Sequence, residues 1–213
     1  MSVKSKTGLT NEALYLIRAS GQIANFDTDD TPNGKAARMY LDSHISEALS
    51  CYDWASFAET LTLVDISDEH PPPPHYLYRY SMPTNCLVPR RIVVSGMNPN
   101  DTPYPFDVEI ISGGGQRSIL TDVAPAYEPW LRFTSDAQRE NVQNWPAEFY
   151  RAVSYRLAAS LATAIKESPQ LAESMMRFYV DSLNMAWYID QSGRTIGKNQ
   201  DPSSARARRG EAT

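Results

Sequence analysis

The sequence predicts an α+β protein. Its N- and C-terminal helices are expected to form a helical bundle, with an antiparallel β-sheet or sandwich inserted between them and an extended C-terminal tail. Apolar residues recur at spacings of three and four near both ends of the chain, but alternate with period two from Phe57 to Phe133. Because the strands follow one another without intervening helices, the sheet is expected to be antiparallel rather than built from βαβ units. The expected boundaries are 10–54 and 145–190 for the bundle, 57–135 for the β subdomain and 191–213 for a flexible basic arm.

The C-terminal part of the bundle is predicted as a helical hairpin. Pro146 suits the first turn of a helix, where its missing N–H would have no intrahelical partner. The apolar positions of the first helix are Phe149, Val153, Leu157, Leu161 and Ile165. Ser168-Pro169 interrupts the helix, since a residue before proline is disfavoured in the α region. The apolar positions of the second helix, before its expected end near Asp190, are Leu171, Met175, Phe178, Tyr179, Leu183 and Ala186.

Two further helices are predicted at the N-terminal end. Thr10-Asn11-Glu12 offers polar caps for the first. The second is expected to follow Thr31-Pro32-Asn33-Gly34 and to run from about Lys35 to Cys51. Its predicted inner face comprises Ala37, Tyr40, Leu41, Ile45, Ala48, Leu49 and Tyr52. The acidic segment from Asp27 to Asp30 is interpreted as a turn between the two helices, because it lacks the glycine and glutamate of a calcium-binding loop.

About six short strands are predicted in the middle of the chain. They are expected near residues 61–65, 76–80, 91–95, 108–111, 116–121 and 130–134. The run from Gly113 to Gly115 is interpreted as a hairpin turn rather than a phosphate cradle, since no Lys-Ser/Thr accompanies it. Pro71 to Pro74 are expected to form a stiff polyproline II connector, with a ligand site for a proline-binding module as the alternative.

The composition is that of a globular domain with a basic end. The chain has 213 residues, of which 42% are apolar and 21% charged, so a substantial core can form. The formal net charge is −5, but five basic and two acidic residues occur from Arg194 onward, which leaves −8 for the preceding residues. No apolar run is long enough to cross a bilayer, and no apolar segment directly follows Met1 to Lys6. We therefore expect neither a membrane span nor a signal peptide.

No group of residues in the sequence predicts catalysis. None of the three histidines pairs with a nucleophile, and His44 is interpreted as a half-buried structural histidine. His70 and His75 flank the proline run, shortly after Asp65, Asp68 and Glu69. A metal site there is the alternative to a solvated loop, but the spacing matches no metal-binding motif. Cys51 and Cys86 are expected to be small buried apolar side chains. We thus expect no catalytic, cofactor-binding or metal-binding residues, which favours a binding or structural protein.

Several short segments occur in an order that is typical of one family. They are YRYSMPTNCL from Tyr78, SILTD from Ser118, WPAEF from Trp145, RLAASLA from Arg156 and YID from Tyr188. In this order the chain resembles, over roughly residues 10–190, the head–tail adaptor family of short-tailed phages, also called tail tubular protein A.

The resemblance implies a structural protein of the virion rather than an enzyme. Members of this family form rings of twelve copies beneath the portal, extend its DNA channel and present a platform to nozzle, tail or fibre proteins. The resemblance therefore implies a protein that is made in the host cytoplasm and ends in the neck and tail of the virion, without cofactor or membrane. An acidic body would let DNA pass through the lumen without sequence-specific binding, because it offers no counterion-release attraction.

Two groups of residues are candidate contacts in such an assembly. The C-terminal extension of the family docks on the portal, so basic residues here are expected to pair with portal carboxylates: Arg194, Lys198, Arg206, Arg208 and Arg209. Aromatic residues of the β subdomain are candidate contacts to neighbouring copies or tail proteins, although several must belong to the sheet core: Tyr76, Tyr78, Tyr104, Tyr127 and Trp130.

Two other classes of function remain open on the sequence. One is a cell-wall glycan hydrolase that uses a carboxylate pair without a recognisable motif. The other is a cellular protein-interaction module, whose proline segment or basic arm would engage a peptide or nucleic acid.

Overall fold

The computed structural model describes residues 4–97, 102–112 and 114–196, with side chains as far as Ser192. These residues form four α-helices and six strands, in the order two helices, six strands and two helices. The predicted α+β class is therefore confirmed. The chain divides into a helical unit, which ends at Ser56 and resumes at Gln138, and a β unit from Phe57 to Ala137.

The helical unit is organised around its third helix. The four helices are α1 (Lys6–Leu16), α2 (Pro32–Cys51), α3 (Ala147–Lys166) and α4 (Pro169–Ile196). Helix α3 contacts each of the other three. Four of its five predicted apolar positions are fully buried: Phe149, Val153, Leu157 and Leu161. Phe149 lies between the indole rings of Trp54 and Trp145, with ring centroids at 5.1 and 5.2 Å and edge-to-face geometry. The centre of α3 is thus the core of this unit.

The two N-terminal helices begin earlier than the sequence predicts. Helix α1 starts at Lys6 because the side chain of Ser5 caps it, accepting a 2.9 Å hydrogen bond from the N–H of Gly8. The expected cap at Thr10 is wrong, since Thr10 is buried inside the helix. Helix α2 starts at Pro32 rather than near Lys35. Thr31 caps it, and its first turn contains the proline that suits that position.

The hairpin of α3 and α4 has the predicted break but a longer second helix. Glu167 ends α3 in the left-handed conformation, with φ of 49°, and α4 starts at Pro169. Helix α4 continues to Ile196, past the expected end near Asp190. The expected start of a flexible arm at residue 191 is therefore wrong, because Arg194 belongs to a helix. The remaining arm, residues 197–213, lies outside the described residues.

The β unit contains two antiparallel sheets of three strands, with the orders β1-β6-β3 and β2-β5-β4. The strands are β1 (Ala58–Thr62), β2 (Tyr78–Ser81), β3 (Cys86–Val93), β4 (Asp107–Ile110), β5 (Arg117–Thr121) and β6 (Trp130–Ser135). Both sheets contribute to one buried cluster: Leu63, Tyr80, Met82, Cys86, Ile92, Ile119, Val123, Leu131 and Phe133. Six strands are observed as predicted, but β1 begins three residues and β3 five residues before the expected ranges of 61–65 and 91–95. The shared core makes the unit a small sandwich.

Candidate functional site

The aromatic residues predicted as contacts differ in their surroundings. Trp130, at the start of β6, and Tyr104 are each 41% exposed, so both can reach another molecule. The hydroxyl of Tyr76 donates a 2.6 Å hydrogen bond to the carboxylate of Asp107. Tyr78 packs against the buried cluster of the β unit and so belongs partly to its core. Tyr127 is largely exposed.

The basic residues predicted to bind the portal lie at or beyond the end of the described part of the chain. Arg194 lies in α4, but its side chain is outside the described part of the chain. Lys198, Arg206, Arg208 and Arg209 lie outside the described residues altogether. Their docking therefore stays a prediction.

Helix α4 buries a narrower face than the sequence predicts. Its buried residues are Met175, Tyr179, Leu183 and Ala186. Phe178 was expected on this face, but its side chain is 49% exposed. The prediction is wrong because adjacent residues of an α-helix lie about 100° apart, so Phe178 and Tyr179 cannot share one narrow face.

Phe178 instead belongs to a second, exposed apolar row on α4. Met185 and Ile189 follow it after seven and four residues, and their side chains are 54% and 49% exposed. These spacings place the three side chains on one flank of the helix. We call this row the ridge. At the N-terminal end of the ridge, the ring centroid of Phe178 lies 5.5 Å from that of Tyr155 on α3.

Near the C-terminal end of α4, five consecutive apolar residues together cover the whole circumference of the helix. Residues 185–189 read Met-Ala-Trp-Tyr-Ile, and only Ala186 among them is buried. Trp187 stacks on Tyr52 at 5.1 Å, while Tyr188 is mostly exposed. A helix that is apolar on all sides is normally surrounded by other elements. This five-residue run was the sequence signal for an additional contact surface on α4.

A groove opens on the opposite flank of α4. It has a volume of about 500 Å³ and lies among α2, α3 and α4. Its floor and walls are formed by Tyr40, Ala159, Ser160, Thr163, Ala172 and Met176, together with two charged residues, Arg156 and Glu173. On the helical wheel of α4, Ala172 and Met176 lie about 120° and 160° from the ridge. The ridge and the groove are thus on opposite flanks of one helix.

A buried polar cluster adjoins the groove. The imidazole of His44 is 5% exposed, so it is more deeply buried than the sequence predicts. Its Nε2 lies 2.8 Å from the Oγ of Ser160, and its Nδ1 lies 3.6 Å from a carboxylate oxygen of Glu47. Arg156 donates from Nε to both oxygens of Glu47, at 3.0 and 2.9 Å. His44 and Ser160 are 116 residues apart in the chain, so the sequence alone does not indicate that their side chains meet.

The order serine, histidine and glutamate is that of a catalytic triad, but two features disfavour that chemistry. Burial and the nearby positive charge of Arg156 lower the pKa of His44 to about 4, so its imidazole is a poor general base at neutral pH. Ser160 lies inside α3, where backbone N–H groups are used within the helix and cannot form an oxyanion hole. The cluster is therefore best interpreted as a polar network that ties α2 to α3.

The buried histidine makes stability depend on pH. Because the pKa of His44 is about 4 in the fold and about 6.5 in an unfolded chain, the unfolded state alone gains a proton as the pH falls between these values. Stability is therefore expected to decrease by about 1–3 kcal/mol between pH 7 and pH 4 through this group. Urea denaturation of the protein and of His44→Gln isolates the effect from that of the carboxylates. Equal slopes against pH in the two proteins would contradict it.

Asp190, at the end of the segment that resembles the adaptor family, anchors α4 to the chain that follows α2. Its carboxylate accepts hydrogen bonds from the backbone N–H groups of Ala55 and Ser56 and from the Ser56 hydroxyl. Gln191 adds a bond from its amide to the carbonyl oxygen of Asp53, at 2.8 Å. The motif residue thus has a structural role.

Replacing Asp190 with alanine is expected to lower the free energy of unfolding by about 2–3 kcal/mol, because charge-assisted hydrogen bonds to two backbone groups are lost. Asp190→Asn keeps one acceptor oxygen, so its free energy of unfolding is expected to fall by about half as much. Thermal and urea unfolding measure both. A loss below about 0.5 kcal/mol for the alanine variant would mean that the anchor is dispensable.

The remaining candidate residues for chemistry are dispersed. Cys86 is buried as predicted, and burial raises the pKa of its thiol to about 11. Cys51 is exposed, so the prediction that it is buried is wrong. Within the described ranges, no three His, Cys, Asp or Glu side chains converge where a metal ion could bind. None of the helices in the part of the chain that the structure describes has both the length and the apolar character of a membrane span.

Comparison with known proteins adds no family assignment. No protein-family model and no curated protein matches this chain. The resemblance to head–tail adaptors accordingly rests on the short segments and their order along the sequence.

Proposed function

We propose that this chain is a structural adaptor of a short-tailed phage, which assembles as a ring beneath the portal, extends the DNA channel and carries the nozzle or tail proteins. The observation that carries the proposal is the exposed apolar surface of α4. Six of its large apolar side chains are 38–68% exposed: Phe178, Val180, Met185, Trp187, Tyr188 and Ile189. Three of them, Phe178, Met185 and Ile189, form one continuous row, and contiguous exposed apolar surface commonly marks a contact with another molecule. A protein that works among copies of itself covers it on assembly.

The segments that resemble the family support a scaffold rather than a reaction centre. Trp145 and Phe149 pack in the core of the helical unit, and Asp190 anchors α4. In the β unit, the hydroxyl of Tyr80 donates a 2.7 Å hydrogen bond to the carbonyl of Val123. Each of these residues maintains packing or holds the backbone, as expected for a building block.

The charge distribution also supports a DNA channel protein. Between Phe57 and Ala137 the sequence has ten acidic residues, five arginines and no lysine, so this unit carries −5. A surface of that sign gives phosphate groups no counterion-release attraction. DNA can therefore slide past such a ring without adhering to it.

The proposal is tested by mixing the purified chain with the portal protein of the same phage and measuring the mass of the complex by sedimentation. The expected result is a portal complex with a complete ring of added copies, and weaker binding after deletion of residues 194–213. A chain that stays unbound at saturating portal concentration would contradict the proposed function. Turnover of cell-wall glycan that depends on a single Asp or Glu would favour the hydrolase instead.

A further inference from the structure

We propose that the ridge of one copy docks into the groove of the next copy, with Phe178 as the central side chain of the contact. This inference deepens the proposed function and rests on it, because it names a second copy of the chain as the occupant of the groove. It assigns the contact to two surfaces of the helical unit, the ridge and the groove on α4.

The opposite positions of the two surfaces favour a head-to-tail contact. A ridge that lies about 120–160° from the groove on the same helix cannot enter the groove of its own chain. Two ridges that met across a twofold axis would leave both grooves empty. A contact between unlike surfaces instead leaves a free ridge and a free groove at each end, and repetition of one rotation closes such contacts into a ring.

The positions of the two surfaces along the axis of α4 agree with such a rotation. Copies in a closed ring are related without translation along the ring axis. The groove involves Ala172, Glu173 and Met176, and Phe178 lies only about one helical turn further along. With α4 roughly parallel to the ring axis, the rotation therefore brings Phe178 to the level of the neighbouring groove.

Shape and charge favour an apolar side chain as the occupant. Three small residues, Ala159, Ser160 and Thr163, form the α3 side of the groove and leave room for a large ring. The two charged residues that line it are already paired: Arg156 with Glu47 at 2.9 Å, and Glu173 with Arg177 at 2.6 Å. A free anion or cation would therefore gain little binding energy in the groove. An aromatic or aliphatic side chain fills the space, as ridges fill grooves in packed helices.

The area of the contact predicts that a single pair of copies binds weakly. Phe178, the ridge side chain at the level of the groove, offers on the order of 100 Å² of apolar surface, and the groove loses a similar area. The sum is below the ~1,000 Å² that a stable interface needs. Each copy in a ring makes two such contacts. Ring closure, or attachment of the copies to a platform, raises the effective concentration of each copy near its neighbours and so strengthens the contact. We therefore expect a monomer in dilute solution and rings on the platform.

Site-directed cross-linking tests the contact. In a Cys51→Ser background, which removes the exposed thiol, Ser174→Cys marks the ridge flank one turn before Phe178, and Thr163→Cys marks the groove. A short bifunctional maleimide is added at about 1 mM protein, where even a contact of about 4 kcal/mol is half occupied. The mixed single variants are expected to form covalent dimers. The chain with both cysteines is expected to form a ladder of longer products.

The controls make each outcome decisive. Tyr15→Cys, on α1, is also at an exposed position and is expected to give no dimer with Ser174→Cys. Dimers from Ser174→Cys alone, equal yields with Tyr15→Cys, or no dimers at all would each overturn the inference. Rings on the portal without these cross-links would reject the ridge–groove contact but keep the proposed function. Cross-linked copies that never bind a portal would reject the function but keep the contact.

Discussion

Replacing Phe149 with alanine is expected to lower the free energy of unfolding of the helical unit by about 3–5 kcal/mol. The ring is fully buried and packs edge-to-face against Trp54 on one side and Trp145 on the other. Its removal leaves a cavity between two rigid indoles, which are held by hydrogen bonds from their N–H groups to the carbonyls of Ala48 and Gln138. The surroundings therefore cannot collapse into the space.

Urea denaturation followed by circular dichroism and tryptophan fluorescence measures this loss. The matched control is Phe178→Ala, which removes the same ring from an exposed position and is expected to cost less than about 1 kcal/mol in the isolated chain. Equal costs for the two variants would contradict the assignment of Phe149 to the core.

Replacing Phe178 with aspartate is expected to leave the fold stable but to weaken association between copies at least 100-fold. The side chain lies at the surface of the isolated helical unit, so a carboxylate there stays hydrated. In the neighbouring groove the same carboxylate would be buried without a free cation, at a cost of about 3 kcal/mol or more. Sedimentation at high protein concentration, or the number of copies bound per portal, measures the difference.

Tyr15→Asp provides the control for this prediction. Tyr15 is 78% exposed on α1, and the substitution makes the same exchange of an aromatic ring for a carboxylate. Association is expected to stay within about twofold of the unchanged protein, since a surface substitution away from a contact has little effect. If Tyr15→Asp weakened association as much as Phe178→Asp, the contact would not be specific to the ridge.

The sequence predicts the elements with strong periodic patterns. The four-residue row of α3 and the break at Ser168-Pro169 are local properties, so they can be read without knowledge of the fold. The alternation between Phe57 and Phe133 likewise locates the strands. Helix starts are harder, because one capping side chain outside the apolar pattern decides them. Ser5 caps α1 five residues before Thr10, the cap that the sequence suggests.

Long-range relations are the part that the sequence does not predict. His44 and Ser160 meet only because α2 packs against α3, and no local pattern encodes that register. The assignment of Phe178 failed for a related reason. Spacings of three and four predict one apolar face for all of these residues, but the buried face of α4 is narrower than that. An apolar residue beyond the core face is a candidate contact with another molecule.

Electron microscopy of the neck of the assembled particle tests the central claim most directly, namely that this chain works among copies of itself and not as a separate catalyst. We expect a closed ring of the chain directly beneath the portal, with Phe178 of each copy in the α2–α3–α4 groove of its neighbour. A neck that lacks the chain, or that holds it as isolated copies without mutual contact, would contradict the claim.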